Sequence, residues 1–268
     1  MKSRTTAILS ALVVVSTITF ALIDRGVLTS DGHGRAVDAL IARNVEARGG
    51  ADAWRAVSSL RLEGQMDLGQ GMHVPYTMEQ QRPGRMCLEF EFDEQVATQC
   101  VADGSGWKTL PYRGRYLPEA MTPDELRDVA DAASIDGLLF NSAERGTSIE
   151  IVGKEVLDGR DVVKLEVVLS AGGKRWVYLD AETALEVRVD ALRILRGEEH
   201  LVETWYHDWR EQDGLLIARR QITRTEGMQE SNVLTVDDVS VNANINSERF
   251  RNPLVANSAG AANGSNSS

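Results

Sequence analysis

The second half of the chain alternates apolar and polar residues in short segments that are separated by turns. Every second residue from Val163 to Leu169 is apolar, and turn residues at Gly159 and Gly172 bound this run. Further segments of the same kind continue to Val241. Alternation with a period of two indicates strands with one buried face, and short turns between consecutive strands make neighbours antiparallel. This half of the chain therefore predicts a large sheet built from sequential hairpins.

An amphipathic helix precedes the first strand. From residue 35, its apolar positions recur at steps of three and four residues: Val37, Leu40, Ile41 and Val45. This spacing gives the helix one apolar stripe. Gly49 follows the last periodic residue and is placed to end the helix in a left-handed conformation, and a short helix with Trp54 comes next. From Leu60 to Leu68 the period falls to two, which predicts a strand that shares its apolar side with the helix.

The alternation extends over much of the first half as well. Apolar faces recur in the segments 74–78, 85–92, 95–101 and 107–111, whereas residues 112–118 have no clear period. About eleven strands in sequential order would form a sheet too long to stay open and flat. We therefore predict an α+β fold in which a large curved antiparallel sheet, curled towards a barrel, carries helices over its concave face.

The two cysteines, Cys87 and Cys100, are predicted to form a disulfide. Two strands joined by a tight turn at Asp93-Glu94 pair residues whose numbers sum to 187, so the two cysteines face each other. The pair falls at a position without ladder hydrogen bonds, where side chains are closest. In an oxidising compartment such a bond contributes about 2–4 kcal/mol. A zinc site is disfavoured, because two cysteines without a histidine at ligand spacing cannot complete a tetrahedral shell.

An isolated helix interrupts the strands after residue 120. Thr122 is placed as its cap, Pro123 as its first helical residue and Glu125 three residues past the cap, a pattern that satisfies the free amides of a helix start. The helix has apolar residues at Leu126 and Val129, and the apolar segment after it contains Leu139 and Phe140. A capped helix inserted between two groups of strands is typical of a lid over a sheet. An ordinary packing helix has the same pattern, and both interpretations stay open.

The N-terminus has the pattern of an export signal. Lys2 and Arg4 precede an apolar run from Ala7 to Ile23. The small residue Ala21 offers a cleavage site, yet the run is nearly long enough to remain as a membrane anchor. Either outcome places the rest of the chain in the periplasm, with an inner-membrane attachment if the segment is uncleaved. We therefore expect residues 1–34 to be a signal peptide or anchor with a linker, residues 35–254 one domain, and residues 255–268 a disordered tail.

The expected mature domain is acidic. The whole chain has a net charge of −11, and residues 1–34 contain three basic and two acidic side chains, so the remainder carries a net charge of −12. A surface of this charge repels nucleic acid and disfavours adsorption to anionic lipid headgroups. The same charge has the simpler interpretation that it keeps the domain soluble.

The motifs contain no catalytic or metal-binding constellation. His200 and His207 lie seven residues apart in or beside one strand, so they point to opposite faces and cannot share a metal. The Gly-Ser-Gly sequence at Ser105 lacks the outer glycine spacing of a nucleophile elbow and is interpreted as a turn. Glu89 and Glu91 share one face of a predicted edge hairpin, where acidic residues usually serve solubility. We therefore expect neither enzyme activity nor a cofactor.

Several motifs of the predicted domain resemble those of a known family. They are Ala47-Arg48-Gly49-Gly50-Ala51-Asp52-Ala53-Trp54, Leu60-Arg61-Leu62-Glu63-Gly64, Gly106-Trp107 with Pro111, Tyr178-Leu179-Asp180, and Tyr206-His207-Asp208-Trp209 with Asp213-Gly214-Leu215. Together, over about residues 35–253, they resemble the outer-membrane lipoprotein-sorting-protein-like family of the LolA/LolB-like superfamily. This resemblance implies an unclosed antiparallel β-barrel whose helices lid an apolar cavity that carries acyl chains between membranes. Arg219 departs from the family pattern, because relatives often have a proline there.

Our first hypothesis is a periplasmic carrier or sensor that holds a lipid, or the acyl chains of lipoproteins, in an apolar cavity without catalysis. The expected lining residues are Leu62, Met66, Met78, Leu88, Phe90, Leu126, Val129, Leu139, Phe140, Val187 and Val189. The alternative is a regulatory or scaffold module that binds a partner envelope protein through the same sheet. A hydrolase ranks last among the hypotheses.

Overall fold

The structure, a computed structural model, describes residues 30–67, 72–195, 197–229 and 231–254. The predicted export segment and the predicted tail lie outside these ranges. The helices are α1 (Ser30–Ala47), α2 (Ala51–Arg55) and α3 (Pro123–Ala133). The strands are β1 (Ser59–Asp67), β2 (His73–Gln81), β3 (Arg85–Phe92), β4 (Gln95–Ala102), β5 (Ser105–Leu110), β6 (Arg115–Ala120), β7 (Ser148–Leu157), β8 (Arg160–Val168), β9 (Lys174–Asp180), β10 (Glu186–Leu195), β11 (Glu198–Gln212), β12 (Leu215–Thr225) and β13 (Ser231–Val241).

The thirteen strands of the described residues form one antiparallel sheet that consists of two meanders joined at its centre. The first meander consists of β1 to β6 and the second of β7 to β13, and in each of them consecutive strands are neighbours. The two meanders meet where β1 pairs with β13. The pairs Leu62↔Val239 and Met66↔Leu234 lie on this seam. β6 and β7 are therefore the two open edges, and the predicted unclosed antiparallel barrel is confirmed.

The sheet contains thirteen strands where about eleven were expected. One strand without a clear pattern in the sequence is β6, at the edge, where Arg115, Tyr116 and Leu117 are consecutive exposed residues. An edge strand that buries neither face leaves no alternation in its sequence, so periodicity alone cannot identify it.

α1 and α2 pack on one face of the sheet, which we call the inner face. Leu40 of α1 joins a buried cluster with Leu165 and Val177, and Trp54 of α2 packs in another with Leu60 and its neighbours. Gly49, with φ of +114°, follows the end of α1 as predicted. The helix begins at residue 30, five residues before its predicted start, because propagating an existing helix needs no further apolar stripe.

The connection between the two meanders crosses the inner face. β6 ends at one edge of the sheet and β7 begins at the other, so the intervening chain has to traverse the sheet. α3 and residues 134–147 make this crossing, and Ile135, Leu139 and Phe140 are buried along it. The topology therefore places both candidate lid segments over the inner face.

The predicted disulfide between Cys87 and Cys100 is confirmed. The two residues face each other across β3 and β4 with their Cα atoms 4.1 Å apart, a spacing close to that of pairs without ladder hydrogen bonds. Asp93 and Glu94 both have positive φ values, as the two-residue hairpin turn requires. The register of this hairpin follows entirely from its turn.

The disulfide lies on the outer face, beneath the C-terminal segment of the domain. Ile245 and Phe250 pack against it, and Arg249 forms ion pairs with Glu79 and Glu89. This corrects one expectation, because β3 lies between β2 and β4 rather than at an edge. The Glu89 carboxylate holds the C-terminal segment on the sheet instead of serving as an isolated surface charge.

Candidate functional site

α3 begins with the capping box that the sequence predicts. The Thr122 hydroxyl accepts a hydrogen bond from the main-chain amide of Glu125 at 3.2 Å, and the Glu125 carboxylate accepts one from the amide of Thr122 at 2.9 Å. Pro123 occupies the first turn. Two of the free amides at the helix start are therefore satisfied locally, which fixes where the helix begins.

The helix is held across the inner face by contacts with both meanders, and we call it the α3 strap. On one side, Lys108 of β5 pairs with Glu125, and the Gln80 side chain of β2 donates to a main-chain carbonyl near the end of α3. On the other side, Arg175 of β9 donates through Nε to Asp131 at 2.6 Å. The strap therefore joins the two halves of the sheet.

The segment 134–147 follows the strap. It fills part of the hollow that the curved sheet forms on its inner face. Phe140 and Ile135 pack with the Trp54 cluster, and Leu139 packs with the cluster around Leu165. Arg145 donates to three main-chain carbonyls of the same segment at distances between 2.7 and 3.1 Å. Because its polar main chain is satisfied internally, the segment can remain folded against an apolar surface.

Beside the strap, the first meander and the adjoining strand β13 present an apolar surface, which we call the apolar wall. Its buried base consists of Val74, Tyr76, Phe90, Ala97 and Leu110, and its half-buried members are Met66, Met78, Leu88, Phe92, Tyr112 and Leu234. The Tyr112 ring lies 5.8 Å, between ring centroids, from each of the rings of Phe90 and Phe92. The half-buried members keep accessible apolar area, which is the surface that an apolar ligand would cover.

The structure separates the predicted cavity residues into groups. Four of them come together in the apolar wall: Met66, Met78, Leu88 and Phe90. Leu139 and Phe140 belong to the segment that fills the hollow, and Leu62 and Val189 flank the helix-covered clusters. On the strap, Leu126 lies against Gly106 of β5, and Val129 is half-buried.

Val187 does not share a face with Val189. A register shift in the pairing of β10 with β9, between residues 186 and 188, changes the alternation at this point. Val187 consequently packs on the outer face with Tyr178 and Trp205, whereas Val189 flanks the inner cluster that contains Leu165. A bulge adds one residue to a strand and so moves side chains to the opposite face, which is why simple alternation misplaced this residue.

Sequence reasoning left seven wall residues out of the expected lining, namely Val74, Tyr76, Phe92, Ala97, Leu110, Tyr112 and Leu234. The signal for two of them was present, because Val74 and Tyr76 alternate with Met78 on one strand. Ala97 could have been found from the hairpin register, which pairs it with Phe90. Leu234 reaches the wall only through the pairing of β13 with β1, which no local pattern indicates.

The Lys108–Glu125 anchor makes the strap sensitive to acid. Partial burial acts to raise the pKa of Glu125, but hydrogen bonds from Lys108 and Thr122 outweigh it, so the pKa lies below its ordinary value of 4.5. A carboxyl group with a lowered folded-state pKa stabilises the fold above its unfolded pKa and loses this contribution as the pH falls through the folded value. We expect Glu125→Gln to reduce the free energy of unfolding by about 0.5–1 kcal/mol at neutral pH, because the amide keeps the cap but loses the ion pair.

Urea unfolding of the two proteins over a range of pH measures this effect. The difference between them should shrink as the pH falls below 4.5, where the wild-type carboxylate takes up its proton. Glu144→Gln, in the exposed part of the segment after the strap, is the matched control and should have no effect. If the difference in unfolding free energy between wild type and Glu125→Gln keeps its full size in acid, the Lys108–Glu125 ion pair does not anchor the strap.

Polar side chains tie α1 to the second meander. Asn44 donates to the main-chain carbonyl of Ala184 at 2.8 Å, and Arg48 pairs with Glu186 at 3.4 Å. Burial and the nearby Glu186 carboxylate raise the pKa of Tyr206, so its phenol stays neutral. The contacts of Asn44 and Arg48 hold the end of α1 on the sheet.

The residues considered for catalysis or metal binding lie apart. The Ser105 hydroxyl donates to a main-chain carbonyl of its own turn at 3.2 Å, and Glu89 is paired with Arg249. Within the described ranges, no three His, Cys, Asp or Glu side chains come together as a metal site. No helix among the same residues is long and apolar enough to cross a membrane.

Comparisons with known proteins identify the fold. No family model matches the sequence, and no curated protein matches it. Solved structures do match. An outer membrane lipoprotein-sorting protein domain from Vibrio parahaemolyticus aligns with a TM-score of 0.57 and 14% identity, over 82% of this chain and 99% of that chain. A DUF1329 family protein from Desulfovibrio piger aligns with a TM-score of 0.56 and 13% identity, over 81% and 98%.

A LolA superfamily protein from Nitrosomonas europaea has the same architecture, with a TM-score of 0.54 and 10% identity over 81% of this chain and 98% of that chain. Each of these chains is covered almost completely, so the likeness extends over whole domains. The predicted resemblance to the LolA-like superfamily is thus confirmed for the fold. At identities this low, it is the fold alone that the comparison establishes.

Proposed function

We propose that this chain, which has the fold of LolA-superfamily proteins, is a carrier-like protein of the cell envelope that holds a lipid or the acyl chains of a lipoprotein. The observation that carries the proposal is the apolar wall, whose half-buried members lie beside the strap on the inner face. The proposal places the domain in the periplasm and includes no covalent step. It also treats the N-terminal segment as the export signal.

The hydrophobic effect supplies the main free energy of binding for such a ligand. Burying a methylene group contributes about 0.8 kcal/mol, so about ten buried methylenes give a gross gain of roughly 8 kcal/mol. That gain corresponds to a dissociation constant of about 1 μM before the entropic cost of association is subtracted. The gross gain of one long acyl chain laid along the wall therefore comes from apolar burial and includes no charged contact.

The proposed binding surface combines the wall with the strap. Met78 and Leu88 are cross-strand partners at the centre of the wall, and Met66 lies on the neighbouring strand. Leu126, on the strap, would cover the ligand from the opposite side. Methionine is unbranched and flexible, so it adapts to chains of different shape.

The test is lipid recovery from the protein itself. We expect wild-type protein, purified from a host with its own envelope, to carry a lipid that native mass spectrometry detects and solvent extraction recovers. The double variant Met78→Gln/Leu88→Gln should bind a fluorescent fatty acid at least tenfold more weakly, because each amide removes about 1–2 kcal/mol of apolar contact. Wild-type protein with a ligand-free mass, and with no affinity for the fatty acid, would contradict the proposal.

Val156→Gln is the matched control for this double variant. Val156 is an apolar residue of edge strand β7 that is 66% exposed, so the substitution changes chemistry in the same way outside the wall. Circular dichroism verifies that all variants keep the fold. Equal loss of fatty-acid affinity in the control would mean that the wall is not the binding surface.

A second candidate function is the binding of a partner envelope protein. It is supported by edge strand β6, where Tyr116 is 66% and Leu117 is 78% exposed on a strand with one unpaired side. An open edge with apolar side chains can accept a further strand from another chain. Affinity capture from a periplasmic extract separates the two functions, because this candidate predicts a stoichiometric protein that Leu117→Lys releases.

A further inference from the structure

Exposed apolar side chains gather at one end of the sheet. Alternate connections of a meander lie at the same end, and one end of this sheet carries the β1–β2, β3–β4, β5–β6, β10–β11 and β12–β13 connections. Among the described residues, nine large apolar side chains are exposed, and two of these, Val152 and Val156, lie on edge strand β7. The other seven lie beside those five connections, and we call them the apolar rim. Five of them are Met72, Val96, Tyr116, Leu117 and Met228, and the last two are Leu192 and Ile194.

The β10–β11 hairpin carries part of the rim beyond the neighbouring strands. The ladder between β10 and β9 reaches only to Ala191, and the ladder between β11 and β12 begins at Val202. The hairpin therefore extends past both ladders by about three residues, which is roughly 10 Å. Leu192 and Ile194 are exposed on this extension. A projecting tip with apolar side chains can enter an apolar surface without moving the rest of the sheet.

The apolar wall runs to the same end of the sheet. Phe92 is the last residue of β3, and Tyr112 lies in the β5–β6 connection, so both belong to the wall and lie at the rim end. At the opposite end, Trp54 of α2 packs with Leu60 and Leu215, which are among the first residues of β1 and β12. Because α2 covers that end, a ligand that reaches or leaves the wall passes most directly by the rim.

α1 runs along the sheet with its first residue towards the rim. The end of the helix lies at the opposite end of the sheet, where the carbonyl of Arg48 accepts a hydrogen bond from the amide of Leu216 beside the β11–β12 turn. Two turns earlier, Leu40 packs against Leu165 in the middle of β8. Residues 1–29, which include the predicted export segment, therefore join the domain on the rim side. An export segment that stays in a membrane would turn the rim towards that membrane.

The charges beside the rim favour a surface of low net charge. Asp93, Glu94, Glu198 and Glu199 are exposed at the β3–β4 and β10–β11 hairpins, and the whole chain has a net charge of −11. Anionic headgroups repel these carboxylates. Contact with a lipid surface would therefore depend on burial of the apolar side chains and would respond little to salt.

We propose that the apolar rim docks on the surface of a lipid membrane of low net charge, and that a lipid passes there between the membrane and the apolar wall. Separate apolar side chains on five connections suit a fluid bilayer interface, which adapts to each of them, whereas a folded partner needs one closely packed complementary patch. The passage of lipid rests on the proposed function. The docking itself is independent of that function.

A fluorescent label on the rim tests the docking with the full chain. A nitrobenzoxadiazole label at Ile194→Cys should shift its emission to the blue when phosphatidylcholine vesicles are added, at low and at high salt, because immersion in the interface excludes water. Cys87 and Cys100 are buried in their disulfide, so the label attaches to the introduced thiol. The label reports only its own surroundings, so an export segment that enters the vesicles does not produce this signal.

Val156→Cys with the same label is the matched control, because Val156 is an exposed apolar residue outside the rim. Its emission should stay unchanged. Equal shifts at both positions, or no shift at residue 194, would overturn the proposal. A shift that needs phosphatidylglycerol and disappears at high salt would overturn it as well, because electrostatic adsorption would then hold the domain. So would a shift that appears without vesicles as the protein concentration rises, since the rim would then bind a second copy of the chain.

The double variant Leu192→Gln/Ile194→Gln tests the passage of lipid. The rate at which the protein removes a fluorescent fatty acid from phosphatidylcholine vesicles should fall at least about fivefold, while the affinity for the same fatty acid free in solution stays at the wild-type value. Val152→Gln/Val156→Gln changes two exposed apolar residues of β7 and should alter neither quantity. A wild-type rate in the rim variant would mean that lipid does not pass by the rim.

The two measurements also separate this proposal from the proposed function. If the label at residue 194 is immersed while wild-type protein has no affinity for the fatty acid, the docking stands and the lipid-carrying function fails. If the fatty acid binds to the wall while the label stays in water, the lipid-carrying function stands and the docking fails.

Discussion

Gly64→Ala is expected to lower the free energy of unfolding by about 3 kcal/mol or more, which corresponds to a fall in Tm of roughly 6–12 °C for a domain of this size. Gly64 lies on β1 at the seam between the two meanders, next to a register shift opposite β13. A Cβ atom at this position would lie 1.9 Å from the main-chain oxygen of Thr235 and 3.1 Å from Cα of Val236. Because the obstruction is main chain, the two strands would have to separate for the methyl group to fit.

Gly153→Ala provides the matched control for this measurement. Gly153 is also a strand glycine next to a register shift, on edge strand β7, and a Cβ atom there meets nothing within 4 Å. Its substitution should change stability by less than about 0.5 kcal/mol, or stabilise slightly by restricting the unfolded chain. Urea or thermal unfolding followed by circular dichroism gives both values. Similar values for the two variants would mean that the seam is not closely packed at Gly64.

Gly49→Ala is expected to be about as damaging, at about 3–4 kcal/mol, of which backbone strain supplies about 1–3 kcal/mol. Gly49 has a φ of +114°, and a Cβ atom would lie 2.1 Å from the main-chain oxygen of Gly214 in the β11–β12 turn. Next to it, the main-chain amide of Leu216 donates to the carbonyl of Arg48 at 2.9 Å. Moving the turn away to admit the methyl group would break this contact between α1 and the sheet.

Gly50→Ala separates the two causes of this loss. Gly50 also has a positive φ, of +89°, but a Cβ atom there approaches only the flexible Glu46 carboxylate, at 3.6 Å. Its substitution should therefore show the backbone strain without the steric clash. The difference in unfolding free energy between the two alanine variants measures how closely the end of α1 approaches the β11–β12 turn. Equal losses of unfolding free energy in the two variants would mean that backbone strain accounts for the whole effect of Gly49→Ala.

Local signals predicted much of the fold. The turn at Asp93-Glu94 set the hairpin register and with it the Cys87–Cys100 disulfide. The cap at Thr122 predicted where the strap begins. Each of these features depends on residues close together in sequence, where turn geometry and capping hydrogen bonds act without help from the rest of the chain.

The candidate site was predictable only in part. Met66, Met78, Leu88 and Phe90 were placed together correctly, because strand alternation and neighbouring hairpins keep apolar residues on one face. Leu139 and Phe140 proved to fill the hollow, since the crossing between β6 and β7 carries them over the sheet. The position of Val187 depended on a bulge, which leaves no regular pattern in sequence.

The amino-acid sequence by itself determined most of the strands, the turns between them, the disulfide and the helix that Thr122 caps. Only the tertiary structure decided that β1 pairs with β13 and that the strap therefore crosses from one meander to the other. The physical reason is the range of the interactions involved. Turns and caps are formed by neighbouring residues, whereas the seam and the Leu234 edge of the apolar wall depend on contacts between segments that are up to about 180 residues apart and that compete with other pairings of similar strands.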